Sequence, residues 1–243
     1  MPPMSGGVTE EPRAWRGLLV LGAPRSGTTL IASALGAHPA IAMLLEEWNG
    51  AMFRMSWGKL PAVKLVMPEQ IQLAHRGHRL YNLAMRSSWV RRRLGHRLPR
   101  SRLSLRDMAT RGEMAVVCVL RDPGANVESL ERGHERPPAI AREIVAKTYD
   151  VFEALPEPGL TPRFVSFDRF LTVPERQLHS LCDWLRLPFH PGMLAAPSLN
   201  AYYPDTRFRS ELAVPEAAAP PAGEDRALEA LRARHRALLA RAQ

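Results

Sequence analysis

Residues 17–35 read Gly-Leu-Leu-Val-Leu-Gly-Ala-Pro-Arg-Ser-Gly-Thr-Thr-Leu-Ile-Ala-Ser-Ala-Leu, and this stretch decides the fold. Gly17 to Leu21 is a continuous apolar run, the pattern of a buried strand. Leu30 to Leu35 has helical spacing, and Gly22 to Thr29 supply a turn of small and polar residues between them. A strand, a Gly/Ser/Thr turn and a helix gather backbone N–H groups and a helix dipole around one anion. The expectation is a phosphate cradle.

Gly22 and Gly27 stand at the spacing of a Walker A loop, but Thr28 occupies the position of its lysine. The positive charge sits inside the loop instead, at Arg25. P-loop kinases and ATPases place that lysine on the β/γ-phosphates and the next hydroxyl on Mg²⁺. Its loss argues against ATP hydrolysis and against phosphoryl transfer from ATP.

About 100 residues further on, Met114 to Leu120 form a second continuous apolar run, as a strand buried on both faces of a parallel sheet requires. It ends in Arg121-Asp122-Pro123, and Pro123 suits the first turn of a helix. Ser129 then falls about two turns in, near Arg121 in space. Arginine supplies a forked, permanent cation and serine a neutral donor, a sensible pair for a phosphate. A third stretch, Arg163 to Leu171, reads as a strand entering a short turn. Pro174 to Leu185 follows with apolar residues at 178, 181, 182 and 185, closed by Arg186-Leu187-Pro188-Phe189.

These three segments, in this order, resemble the sulfotransferases that use PAPS (3′-phosphoadenosine 5′-phosphosulfate). Pro24 to Thr29 is similar to their 5′-phosphosulfate loop. The strand ending in Arg-Asp-Pro, with a serine eight residues after the arginine, resembles their 3′-phosphate site. The strand–helix unit ending in Leu187-Pro188 is similar to a scaffold segment of the family. The resemblance spans about residues 17–195, with a gap in the middle. It implies an α/β fold of three layers, P-loop type, with a central parallel sheet flanked by helices.

By the same resemblance, Arg25, Ser26, Gly27, Thr28 and Thr29 hold the 5′-phosphate of the donor, and Arg121 with Ser129 holds the 3′-phosphate. Arg25 also stabilises the leaving phosphate, and Lys64 matches the lysine that donates to the sulfuryl oxygens. Cytosolic members carry a base in a Lys-x-His-x-Pro pattern; Lys64-Leu65-Val66-Met67-Pro68 keeps Lys and Pro but has Val66 at the His position. Another branch uses a glutamate shortly after a His-Pro that closes the first helix. Here His38-Pro39 is followed by Glu46-Glu47, with Glu47 the first choice of base and Glu46 the second. His38 itself reads as a helix-end residue. The Arg-Lys-Gly loop that completes the 3′-phosphate site in cytosolic members is absent; Tyr202, Tyr203, Arg207 and Arg209 occupy the corresponding region.

Composition sets the outer bounds. At 243 residues the chain suits one α/β domain with a full core. No apolar stretch approaches the ~18 residues of a membrane span, and the start, Met-Pro-Pro-Met-Ser-Gly-Gly, lacks the layout of a signal peptide. Two cysteines, one in a strand and one in a helix, make no disulfide framework. A cytoplasmic, reducing setting is expected. The net charge of +9 is carried by 30 arginines and three lysines, a bias that Arg-for-Lys replacement in a GC-rich genome explains. The densest block, Arg91 to Arg93 with Arg97, Arg100, Arg102 and Arg106, lacks interleaved aromatics and recognition motifs, so a solvated face is expected and nucleic acid is not. His75 and His78 share a helical face but have no third ligand, so no metal site is expected.

The expected organisation is a disordered leader over 1–13 and a sulfotransferase domain over 14–212 with strands near 17–22, 40–45, 61–66, 114–120 and 163–167. A helical excursion over 68–110 faces the acceptor side, and 213–243 form an Ala/Pro-rich linker and an amphipathic C-terminal helix with Leu228, Leu231, Leu238 and Leu239 on its apolar face. The expected activity is sulfuryl transfer from PAPS, without a metal, to a hydroxyl on a small molecule, glycan or carrier-bound metabolite. The alternatives are a P-loop nucleotide or metabolite kinase and a non-catalytic nucleotide-binding protein. The acceptor and the oligomeric state stay open.

Overall fold

The structure, a computed structural model, describes residues 15–46, 58–74, 87, 103–195 and 226–241. Five parallel strands form the central sheet: β1 (Gly17–Gly22), β2 (Ile41–Leu45), β3 (Leu60–Val66), β6 (Met114–Leu120) and β7 (Leu160–Ser166). Their order across the sheet is β2-β3-β1-β6-β7. From β1 the chain runs to the far edge at β2, returns inward to β3 beside β1, and then crosses to the other side for β6 and β7. That reversal leaves a crevice at the carboxyl ends of the central strands, where α/β sheets bind ligands.

The helices lie on both faces. One face carries α1 (Thr28–Gly36), α5 (Phe167–Thr172), α6 (Pro174–Leu185) and α7 (Gly192–Ala195). The other carries α2 (Leu105–Ala109), α3 (Pro123–His134), α4 (Pro138–Ala154) and α8 (Arg226–Ala240). Strand alternation sorts the core between them. Leu19, Leu21, Val116, Cys118 and Phe164 face α3, α4 and α8, whereas Leu18, Val20, Val117, Val119 and Val165 face α1 and α6. Every residue of β1 and β6 is buried, which is why both are unbroken apolar runs in the sequence. Each Leu, Val or Met among them contributes about 1.5–3 kcal/mol by leaving water.

All five expected strands are present. β7 begins three residues earlier than the sequence suggests, at Leu160, because Pro162 reads as a strand breaker. Proline is tolerated there because β7 is an edge strand. The turn expected after it is the short helix α5, capped by the Ser166 hydroxyl, which accepts from Arg169 N–H at 3.3 Å.

Within the excursion, the described residues differ from a purely helical reading. A short strand β4 (Ile71–Gln72) pairs in parallel with β5 (Leu103–Ser104), and only α2 follows as helix. The leader over 1–13, the remainder of the Arg91–Arg102 block, the linker, His75 and His78 lie outside the described residues.

The C-terminal helix is present as α8. It buries Leu231 and Leu238 against the core, packs Leu239 beside them and leaves Leu228 part-exposed. Arg234 fixes it to α4 through Asp150 and Glu153, both at 2.7 Å. Both cysteines are free and buried, Cys118 in β6 and Cys182 in α6.

Candidate active site

The loop after β1 turns through two left-handed residues, Arg25 at φ 65° and Gly27 at φ 89°. Gly27 is the N-cap of α1 and offers no side chain, so the first-turn N–H groups of the helix have no side-chain cap. A Cβ at Gly27 would stand 2.1 Å from the Phe167 ring, which closes over the loop from α5. At Gly22 a Cβ would meet the Ser26 hydroxyl at 2.4 Å. Ser26 is thus tucked beneath the loop: it is buried, and its N–H donates to Ala23 O at 3.2 Å. Its hydroxyl is buried without a hydrogen-bond partner among the described residues, while Arg25, Gly27, Thr28 and Thr29 line the cleft itself.

β6 and α3 brace this loop from the side. The Asn126 amide donates to Pro24 O at 2.9 Å, and Arg121 Nη1 donates to Arg25 O at 2.8 Å. Asp122 caps α3 by accepting from Ala125 N–H at 2.9 Å, while its own N–H donates to Asp168 at 3.2 Å. Ser129 does lie beside the arginines: its hydroxyl accepts from Arg25 Nε at 3.3 Å. Gly133, one turn further along α3, completes this wall, because a Cβ there would come within 3.2 Å of the Arg25 guanidinium. No motif in the sequence marks Gly133; its signal is a glycine one helical turn beyond Ser129.

Arg121 is also the electrostatic centre of the wall. Burial lowers its pKa from the ordinary arginine value; Asp168 and Asp122 oppose the shift, while Arg25 and Arg132 add to it. Its Nε is buried without a hydrogen-bond partner among the described residues. An anion between Arg25 and Arg121 would relieve both conditions.

Across the cleft, Lys64 sits near the end of β3 and is only 2% exposed. Its Nζ donates to Glu46 Oε1, and Glu46 N–H donates to Lys64 O at 2.9 Å. The β2–β3 register, with Leu45 opposite Lys64, brings the two together. Val66 lines the cleft in place of a histidine, and its N–H donates to the Gln70 side chain at 2.7 Å. Glu69, paired with Arg136 at 3.3 Å, and His134 complete a space of about 390 Å³. Glu47 and the late residues Tyr202, Tyr203, Arg207 and Arg209 lie outside the described residues. His38 is structural, as expected of a helix end: Nε2 bonds Pro188 O at 2.7 Å, and Nδ1 accepts from Ala40 N–H at 3.1 Å. Among the described residues no group of three His, Cys, Asp or Glu is placed to hold a metal, and no helix is long and apolar enough to cross a membrane.

Burial lowers the Lys64 pKa, and the hydrogen bond and charge of Glu46 pull it partly back. The unfolded chain then holds that proton more tightly than the folded one, so stability rises with pH between the folded and unfolded values. With three lysines in the chain, ¹³C-lysine NMR resolves the group. Lys64 is expected to titrate below the ordinary lysine value, and Glu46→Gln to move it lower still. A titration that moves upward in Glu46→Gln contradicts the pairing.

No protein-family model and no curated protein matches the chain. Solved structures do. A parallel sheet with a phosphate-type loop at its switch point defines a P-loop α/β architecture. Within it, the chain is similar to the sulfotransferase domain of the Synechococcus PCC 7002 olefin synthase, at 17% identity over 89% of this chain and 93% of that one, with TM-score 0.52. It also matches the sulfotransferase domain from the curacin biosynthetic pathway, at 13% identity over 91% of this chain and 98% of that one, with TM-score 0.49. A mouse sulfotransferase, SULT7A1 complexed with PAP, matches at 13% identity over 76% of this chain and 63% of that one, with TM-score 0.43. The chain has the sulfotransferase fold.

Proposed function

We propose that the protein is a PAPS-dependent sulfotransferase acting on a hydroxyl of a small-molecule, glycan or carrier-bound acceptor. The observation that carries this reading is the convergence of Arg25, Arg121 and Ser129 with the Lys64–Glu46 pair around one cleft at the uncapped head of α1. The partnerless Arg121 Nε and the first turn of α1, which has no side-chain cap, are features a phosphate group would complete.

In this reading the head of α1, the Thr28 and Thr29 hydroxyls and Arg25 hold the 5′-phosphate, and Arg121 and Ser129 hold the 3′-phosphate. The bond from sulfur to the donor's bridging oxygen breaks and a bond from sulfur to the acceptor oxygen forms. The acceptor proton passes to a carboxylate, and PAP leaves with the electron pair of the broken bond. Arg25 stabilises the charge growing on the leaving phosphate, and Lys64 donates to the sulfuryl oxygens. A sulfuryl group carries less charge than a γ-phosphoryl group, so fixed cations can take the part of Mg²⁺. Glu46 is the base: as Lys64 turns to the sulfuryl group, the carboxylate it held is released to accept the proton.

Calorimetric titration with PAP, 5′-AMP and ATP·Mg²⁺ tests the donor site. PAP is expected to bind far more tightly than 5′-AMP; equal binding of those two, with ATP·Mg²⁺ best, would point to a P-loop kinase instead. With an acceptor in hand, Glu46→Gln should lower kcat by about 100-fold or more with PAP affinity retained. A loss that follows Glu47→Gln instead transfers the base to Glu47.

A further inference from the structure

A second cleft of about 360 Å³ opens at the outer edge of the sheet, between α6 and α8 and against β7. Three guanidinium groups line it from separate elements: Arg163 of β7, Arg169 of α5 and Arg236 of α8. Among the described residues no acid is in its walls. Elsewhere in the fold Arg106, Arg132, Arg136, Arg232 and Arg234 each lie against a carboxylate. The three arginines here face none among the described residues.

The groups beside them are donors or orient donors. Arg163 Nη2 donates to the Ser180 hydroxyl at 2.9 Å, which fixes the direction of its fork. Gln177, one turn before Ser180 on α6, adds an amide. Leu181 and Leu239 give apolar walls for the uncharged part of a ligand. Three cations lining one cleft with no acid among the described residues of its walls repel one another, and an anion among them offsets that repulsion. Planar forks carried by three separate elements suit the several oxygens of a phosphate, where one carboxylate would occupy a single fork.

We propose that this outer cleft is a second anion site that takes a small phosphate-bearing molecule. It is separate from the donor cleft, although one turn of α5 joins them: Phe167 lines the first and Arg169 the second. The proposal does not rest on the sulfotransferase reading, since no residue lining the outer cleft lines the donor cleft.

Pyrophosphate is the probe, titrated calorimetrically into the full chain. In an Arg25→Ala/Arg121→Ala background, which disables the donor cleft, one pyrophosphate per chain is expected to bind still. Adding Arg163→Gln and Arg236→Gln should weaken that binding by about 100-fold, the loss of two charge-assisted contacts. Circular dichroism checks folding, and Arg236→Glu alone, at an exposed position on α8, repeats the test should the combined variant fail to fold. Binding that survives the Arg163 and Arg236 changes overturns the proposal. So does binding lost with the donor-cleft variant alone, or an effect that sodium chloride of equal ionic strength reproduces. Tighter binding of PAP than 5′-AMP is read separately, so either site can fail without the other.

Discussion

Arg121→Ala is expected to lower the affinity for PAP by about 100-fold, the worth of a forked charge-assisted contact to a phosphate. The affinity for 5′-AMP, which lacks only the 3′-phosphate, should fall far less. The gap between the two ligands is the reading that matters, because Arg121 also braces the loop through Arg25 O at 2.8 Å. Slackening that brace weakens both ligands together; losing the 3′-phosphate contact weakens PAP alone. Arg121→Lys keeps the charge but not the fork and should fall between. A ratio unchanged in Arg121→Ala would remove this residue from the 3′-phosphate site.

Gly27→Ala should be the most damaging single methyl group in the loop. The left-handed backbone at φ 89° costs a non-glycine residue about 1–2 kcal/mol. Overpacking against the Phe167 ring, 2.1 Å from the new Cβ, adds about 1–3 kcal/mol. Phe167 cannot retreat alone, since Asp168 beside it accepts from Asp122 N–H at the head of α3. PAP binding and the urea midpoint are both expected to drop. Phe167→Ala in the same chain makes room for the methyl group but leaves the backbone strain, so recovery should be partial. Parent-like PAP binding in Gly27→Ala would show that the ring does not close over the loop.

The central strands were legible because burial on both faces leaves no alternation to disguise them, as in Met114–Leu120. The two phosphate-type loops were legible because backbone geometry restricts them to a few small residues at set spacings. Edge and contact features were not. Pro162 hides the start of β7, since only strand order shows that β7 is an edge strand, where proline is tolerated. Ser26 is expected at the phosphate by its place in the loop, and only the fold shows how closely Gly22 approaches its hydroxyl. Gly133 and Gln70 act on residues of the cleft through contacts that no local pattern announces. The pairing of Glu46 with Lys64 likewise depends on the β2–β3 register, which spacing along the chain does not encode.

The small parallel clasp of Ile71–Gln72 with Leu103–Ser104 bears on how such a protein diversifies. It sets the chain before residue 74 and the chain after residue 103 side by side at one place, outside the five-stranded sheet. Closure entropy grows only slowly with the number of residues between two joined ends, so a change in that number costs the clasp little. The strands and loops that carry Arg25, Lys64 and Arg121 need not move when it changes. Selection can therefore rewrite one section of the chain as an interchangeable cassette while the phosphate-type cleft is inherited intact.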